Sequence, residues 1–253
     1  MLETLRNAFK IEDIRKRIGY TFLMLIVIRI GSQLPIPCVN SEVFANWFAN
    51  QGGDAFSFLD AITGGSFYQM SVFALNITPY ITSSIIIQLL TIAIPKLEEL
   101  QKDGEEGRKK ITKITRYLSV ILALVEAIAM AIGFGRSGYL DKFNVINVLL
   151  VVTTLTAGST ILMWIGERIT ERGVGNGISI VLTINIISRI PADLTALFDQ
   201  FIKGKTIAKG VLAAAIIAAI ILVTVVFVVI LQDAVRKIPV QYAKKMQGRK
   251  MVG

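Results

Sequence analysis

The side chains that could carry chemistry here are few, and the missing types are as informative as those present. The chain has one cysteine, Cys38, and no histidine. It therefore offers no intrachain disulfide, no thiolate metal cage and no imidazole base or ligand. No GxxxxGK[ST] phosphate loop occurs. Gly173, Gly175 and Gly177 form a GxGxG pattern, but apolar stretches flank it where a dinucleotide site needs a strand and a βαβ unit. These glycines permit a tight turn into the next helix, with Asn176 available to cap its first turn. The expectation is a non-enzyme with no metal and no cofactor. What remains is a set of polar residues in apolar surroundings. Arg29 and Glu126 fall inside apolar stretches, and ALNITPYITSSIIIQLL (74–90) is long, greasy and studded with Asn76, Thr78, Pro79, Thr82, Ser83, Ser84 and Gln88.

The elements that hold these residues follow from composition. Of 253 residues 53% are hydrophobic and 18% charged, above the ~45–50% apolar content of a soluble domain. Long windows lack charge and short ones between them are rich in Lys and Arg, as expected where lipid is the solvent. Spans are expected at about 18–34, 70–94, 114–133, 146–166, 177–190 and 210–231, each near the ~20 residues that cross a bilayer except the short fifth. The alternating connections carry nineteen Lys and Arg on one side and six on the other, which puts the N-terminus and the last segment in the cytoplasm. Residues 1–17 read as a cytoplasmic amphipathic helix on anionic lipids or as a solvated leader. Basic sequence precedes the first span and no small-x-small site follows it, so no cleavable leader is expected.

Loop 35–69 has no Lys or Arg and contains AFSFLDAITGG (55–65), apolar but too short to span. It reads as a re-entrant, plug-like helix or as a surface loop on the helix ends. On a helix, Ile77, Ile81, Ser84 and Gln88 share one stripe. That stripe could line a passage with a greasy constriction and a wet mouth, or could pack helix on helix. Pro79 reads as a mid-helix break that lipid could not compensate. Ile178 and Leu182 repeat the spacing of four. Charges at depth must face a partner, a cavity or the interface; Arg29 is near a span end, whereas Glu126 is midway along one. The terminal basic run holds Arg236, Lys237, Lys244, Lys245, Arg249 and Lys250. It is either a topology signal or a docking loop for a polyanion, RNA phosphate or acidic protein.

RIGSQLPIP, FALNITPYITSSIIIQLL, EEGRKKITKITRY, ERITERGVGNGISI and RKIPVQYAKK, in that order along the chain, resemble the SecY family, the channel-forming subunit of the Sec protein translocon. The resemblance implies an all-α helical membrane bundle and a passive conduit for unfolded secretory and membrane proteins in the bacterial cytoplasmic membrane. It implies SecE and SecG as fellow subunits, and the SecA ATPase or a ribosome, through its exit-tunnel proteins and rRNA, as the driving partner. Ile77, Ile81, Ile178 and Leu182 would belong to the pore ring, Leu182 standing where isoleucine is familiar. Phe56, Phe58, Leu59, Ala61, Ile62, Gly64 and Gly65 would lie in a plug at about 55–68. Thr82, Gln88 and Glu126 would line the lateral gate, where Glu126 departs from the usual amide. Arg236, Lys237, Lys244, Lys245, Arg249 and Lys250 would form the loop presented to ribosome or SecA. The family's ten helices exceed the six expected here. The expected division is thus a first five-helix half to residue 190, an outer loop and sixth helix over 191–232, and a basic loop over 233–253 that stops short. The competing class is a secondary transporter with a midplane site at the broken second helix and Glu126. A docking factor that uses only the basic loop is a third.

Overall fold

A computed structural model describes residues 11–51, 54–204, 207–236, 245–247 and 250–252. The elements in order are α1 (Glu12–Gln33), α2 (Ser41–Gln51), α3 (Asp54–Thr63), α4 (Thr78–Ala93), α5 (Pro95–Lys102), α6 (Gly104–Arg136), α7 (Val145–Arg172), α8 (Gly177–Phe201) and α9 (Ile207–Asp233), followed by strands β1 (Lys245–Gln247) and β2 (Lys250–Val252). Among the described residues the elements are all α-helices except for that hairpin, whose register pairs Met246 with Met251. Residues 1–191 and 192–253 form two compact units.

In the first unit, α1 starts with Glu12 and Asp13 in its first turn, where the helix dipole favours acids. It runs unbroken from Glu12 through the first expected span, and residues 1–10 of the expected surface helix lie outside the described residues. Leu34 ends it in extended conformation, as the residue before Pro35 prefers. Among the described residues four helices, α6, α7, α8 and, over Lys209–Asp233, α9, are each long and apolar enough to cross a membrane. The pair α4 and α5 passes the same test together but bends by 103° at Ile94–Pro95.

The packing of α6 follows from residue size. Its buried positions include Thr115, Ser119, Ala123, Ala127, Ala131 and Gly135, one every four residues. Small side chains in register let backbones approach closely, and close packing drives association where lipid removes the hydrophobic effect. Against this strip lie α4 and α7. Ala127 and Ala131 join Ile36, Leu75, Val151 and Leu155 in one buried cluster. Ile28, Phe73, Leu162, Ile165, Ile169 and Val181 form a second between α1, α7 and α8.

The second expected span needs correction at its start. Residues 70–77 are not helical, and Met70 and Asn76 have positive φ (48° and 53°). This stretch instead pairs with the chain after α1: Ile36 N donates to Met70 O at 2.8 Å and Val72 N to Leu34 O at 2.9 Å. It fits because Gly158, halfway along α7, has no side chain; a Cβ there would stand 2.0 Å from Val72 O. Pro79 therefore falls in the first turn of α4, where its missing N–H would have had no helical partner. The expected break costs nothing.

Asn40 precedes α2, and its Oδ1 accepts from Val43 N in the first turn at 3.2 Å. Phe44 of α2, 1% exposed, is ringed by Trp47, Phe67, Phe134 and Tyr139 at centroid distances of 5.5–5.7 Å. Three of these contacts are edge-on, the arrangement the ring quadrupole favours.

The helix expected to end at residue 190 continues as α8 to Phe201 despite Pro191. Beyond the proline, Leu194, Leu197, Phe198 and Phe201 recur at helical spacing. In the second unit Leu197 and Phe201 line a cavity with Ala213, Ile216, Ile217, Ile220 and Ile221 of α9.

Replacement of Ala127, 0% exposed, by leucine is expected to force α4 or α7 off α6 and cost ~1–3 kcal/mol. Thermal denaturation in detergent should show the loss. Val125→Leu on the exposed face of the same helix should leave the midpoint within error.

Candidate functional site: an apolar collar between polar zones

Three elements converge on Gly166 of α7. A Cβ at that position would lie 2.7 Å from Ile178 Cδ1 and 3.3 Å from Ile77 Cδ1. The two isoleucines expected to share a constriction are thus brought together over the one residue type with no side chain. Ile77 is the N-cap of α4 rather than a residue within it, and its carbonyl accepts from Ile81 N at 3.2 Å. It is 0% exposed. Exposure then rises along α4, with Ile81 half-buried and Ser84 and Gln88 exposed. Ile178 and Leu182 are half-buried one turn apart on α8.

The start of α8 is built by the glycine-rich turn. Asn176 Oδ1 accepts from Ile178 N at 3.0 Å and Ser179 N at 3.3 Å, the cap expected from its position. Gly177 N donates to Thr170 Oγ1 at 2.9 Å. Thr21 Oγ1 of α1 accepts from Val174 N at 3.2 Å, which ties the turn to the first helix.

Polar zones lie on both sides of the isoleucines. One is a cavity of about 280 Å³ lined by Tyr80, Thr112, Arg116, Glu167, Thr170, Glu171, Asn176 and Ile178. Across it Arg116 Nε and Glu167 Oε1 pair at 2.6 Å and join α6 to α7. The other begins seven residues along α8, ~10 Å by helical rise. There Asn185 Nδ2 donates to Asn76 Oδ1 at 3.1 Å, and Asn76 Nδ2 donates to Ile62 O at 3.2 Å. One turn further, Arg189 pairs with Asp60 of α3.

The segment expected as a plug is therefore α3 and the turns that follow it. Ala61 and Ile62 are half-buried, Gly64 is buried, Gly65 is half-buried and Phe58 is exposed. The side chains of Phe56 and Leu59 lie outside the described residues. Of the expected gate residues, Glu126 lines a cavity of about 270 Å³ with Thr63, Phe67, Ala74, Leu75, Thr78, Ala129 and Met130. Thr82, one turn further along α4, and Gln88 are exposed. Arg29 is half-buried on α1. In the basic loop Arg236 is exposed, and Lys245 and Lys250 stand in β1 and β2. Lys237, Lys244 and Arg249 lie outside the described residues.

Sequence reasoning passed over Asp60, Asn185, Arg189 and the Arg116–Glu167 pair. Asp60 within an apolar segment and Asn185 within a span carried the signal already used for Arg29 and Glu126, a polar group in greasy surroundings.

Fold and site together define a polytopic helical membrane protein with an apolar collar between two polar zones. The SecY family model matches residues 71–253, and the chain belongs to the SecY family. The protein translocase subunit SecY of Halalkalibacterium halodurans is 42% identical over 258 residues, covering 100% of this chain and 59% of the relative. That of Bacillus subtilis is 42% identical over 250 residues, covering 96% and 57%. The chain thus spans less than two thirds of the length of these relatives. Two solved structures share the fold at 20% identity. A protein conducting channel matches with a TM-score of 0.54 over 75% of this chain and 42% of its own. Sec61 in the canine ribosome–channel complex from the endoplasmic reticulum matches at 0.58 over 90% and 50%.

Gly166→Ala should be tolerated, because the tip of Ile178 can turn away. Gly166→Val should wedge Ile77 from Ile178 and cost ~1–3 kcal/mol, read as a lowered denaturation midpoint in detergent.

Proposed function

We propose that this chain forms part of a protein-conducting channel, which passes unfolded secretory proteins across a membrane and delivers membrane proteins into it. The observation that carries this reading is the collar. The tips of Ile77 and Ile178 both stand over Gly166, between a polar cavity and a polar contact with α3. A conduit for varied peptides must exclude ions without binding its cargo. Apolar side chains can seal by dewetting, and their contacts are individually weak and carry no charge preference. A charged ring would select and trap.

In this reading Ile77, Ile81, Ile178 and Leu182 form this chain's share of the pore ring, and α3 with residues 64–68 is the plug. Thr82, Gln88 and Glu126 contribute to the gate through which apolar segments leave sideways. The match to SecY translocase subunits supports SecE, SecG and SecA as partners and the bacterial cytoplasmic membrane as the location. The asymmetry of Lys and Arg supports a cytoplasmic N-terminus. The likeness to a ribosome-associated channel favours the ribosome as a partner too, with Arg236, Lys237, Lys244, Lys245, Arg249 and Lys250 presented to it or to SecA. Energy comes from those partners. The transporter reading draws no support from the Glu126 cavity, where two threonines and apolar groups complete the lining.

Substitution of Ile77 and Ile81 by serine is expected to raise ion conductance in vesicles that hold the assembled channel. Background conductance would remove the ring. A stalled secretory chain should crosslink to probes at Ile77, Ile81 and Ile178. Charge reversal at Arg236, Lys237, Arg249 and Lys250 should weaken ribosome or SecA binding at physiological salt while membrane insertion is kept. Unchanged binding would overturn the docking role.

A further inference from the structure

Asp60 is the most demanding residue in the plug segment. It sits in α3 with no exposed surface, among neighbours that are mostly apolar. Its Oδ1 accepts from Tyr68 N at 2.8 Å, and its main-chain carbonyl accepts from Gly65 N at 3.1 Å and Thr63 Oγ1 at 3.1 Å. Those bonds shape the turn after α3. The second carboxylate oxygen is spent outside the segment, on Arg189 of α8. A buried carboxylate that loses its cation is strongly disfavoured, so this pair fixes where α3 can stay.

A second contact lies one turn back along α8. Gly64 has φ +67°, and a Cβ there would stand 2.5 Å from Asn185 O. Only glycine allows both that conformation and that approach. Beside it, Asn76 donates to Ile62 O of α3 and accepts from Asn185 of α8. Asn76 is thus bonded to the plug and to α8 at once, and the next residue along the chain is Ile77 of the collar.

We propose that Asp60, Asn76, Asn185 and Arg189 form a polar latch that holds α3 against α8 and ties its release to the parting of Ile77 from Ile178. The proposal rests on the channel reading above and adds a mechanism to it. A peptide that pushes the start of α4 away from α8 carries Asn76 with Ile77. That movement breaks the Asn76–Asn185 bond and the hold on Ile62 O together. The Asp60–Arg189 pair still holds α3 at that point, and it gives way once α3 moves toward water, where both charges regain solvent.

The test is ion conductance of the full-length subunit in its assembled complex, reconstituted in lipid vesicles, with no peptide in transit. Asp60→Asn is the cleanest variant, since an amide oxygen still accepts from Tyr68 N while the charge is lost. Asp60→Asn and Arg189→Gln should each raise resting conductance several-fold. The double variant should leak no more than the leakier single one, because the two side chains act as one unit. Asn76→Ala should also leak, and Arg189→Lys, which keeps the cation, should stay near the parent. If Arg189→Gln does not accumulate, Asp60→Asn and Arg189→Lys decide the matter. Ile77→Ser is measured alongside. Leakage of Ile77→Ser with background conductance in every latch variant overturns the latch and leaves the channel standing. Leaks that multiply in the double variant overturn the pairing. Background conductance throughout, Ile77→Ser included, overturns the channel reading and the latch with it.

Discussion

A backbone that leaves the α-helix at bilayer depth must find all its hydrogen-bond partners inside the protein, because lipid supplies none. The rest of this structure is arranged around one such departure. Between α3 and α4 the chain runs through residues 64–77 as turns, yet every N–H from Gly64 to Val72 has an acceptor within 3.4 Å. Some acceptors lie within the segment. Thr63 Oγ1 and Asp60 Oδ1 supply two, and Leu34, just past α1, supplies another. The turn after α1, the side chain of Asp60 and the absent side chain of Gly158 are parts of one solution. Pro35 stops α1 where its extended residues can pair with the returning chain, and Gly158 lets that chain pass α7.

The consequence for function is positional. Because residues 70–77 are held as a packed turn, α4 begins with Ile77 already fixed over Gly166. A continuous second helix would carry Ile77 on an ordinary helical face. As built, Asn76 reaches the α3–α8 contact and Ile77 reaches Gly166, so one short segment touches both places. The small-residue strip of α6 supports this by bringing α4 and α7 close without bulky side chains between them. Asp60, Thr63, Asn76 and Asn185 are matched to each other or to main-chain groups, as a low-dielectric interior requires. Ser66 Oγ and Ser71 Oγ, by contrast, are buried with no hydrogen-bond partner among the described residues. Serine and threonine hydroxyls along α4, α6 and α7 largely return to carbonyls of their own helices.

Much of this was legible in the residues. The apolar stretches, the uncharged outer loop with its short greasy insert and the capping role of Asn176 follow from local pattern, and the grouping of Ile77 with Ile178 was implied by the family resemblance. Two boundaries were not legible. Hydropathy over 70–94 is continuous, and it reports burial rather than helicity, so a buried turn reads as the start of a span. The fifth expected span ends at residue 190, but the apolar period beyond Pro191 has a partner in α9, and that packing carries the helix to Phe201.

The sequence by itself determined the solvent of this protein, the approximate position of its apolar helices, their charge asymmetry and its membership of the SecY family. The first three depend on composition, on periods of a few residues and on the charges of the connections; family membership rests on specific motifs that recur in order along the chain. Only the tertiary structure decided which polar groups meet. Asp60 finds Arg189 at a separation of 129 residues, and Asn76 finds Asn185 at 109. Each of these residues, read alone, is a polar group in a greasy segment with an obligation to pair. The choice of partner belongs to helix packing, which no local pattern encodes, and that packing turns four isolated anomalies into one contact between α3 and α8.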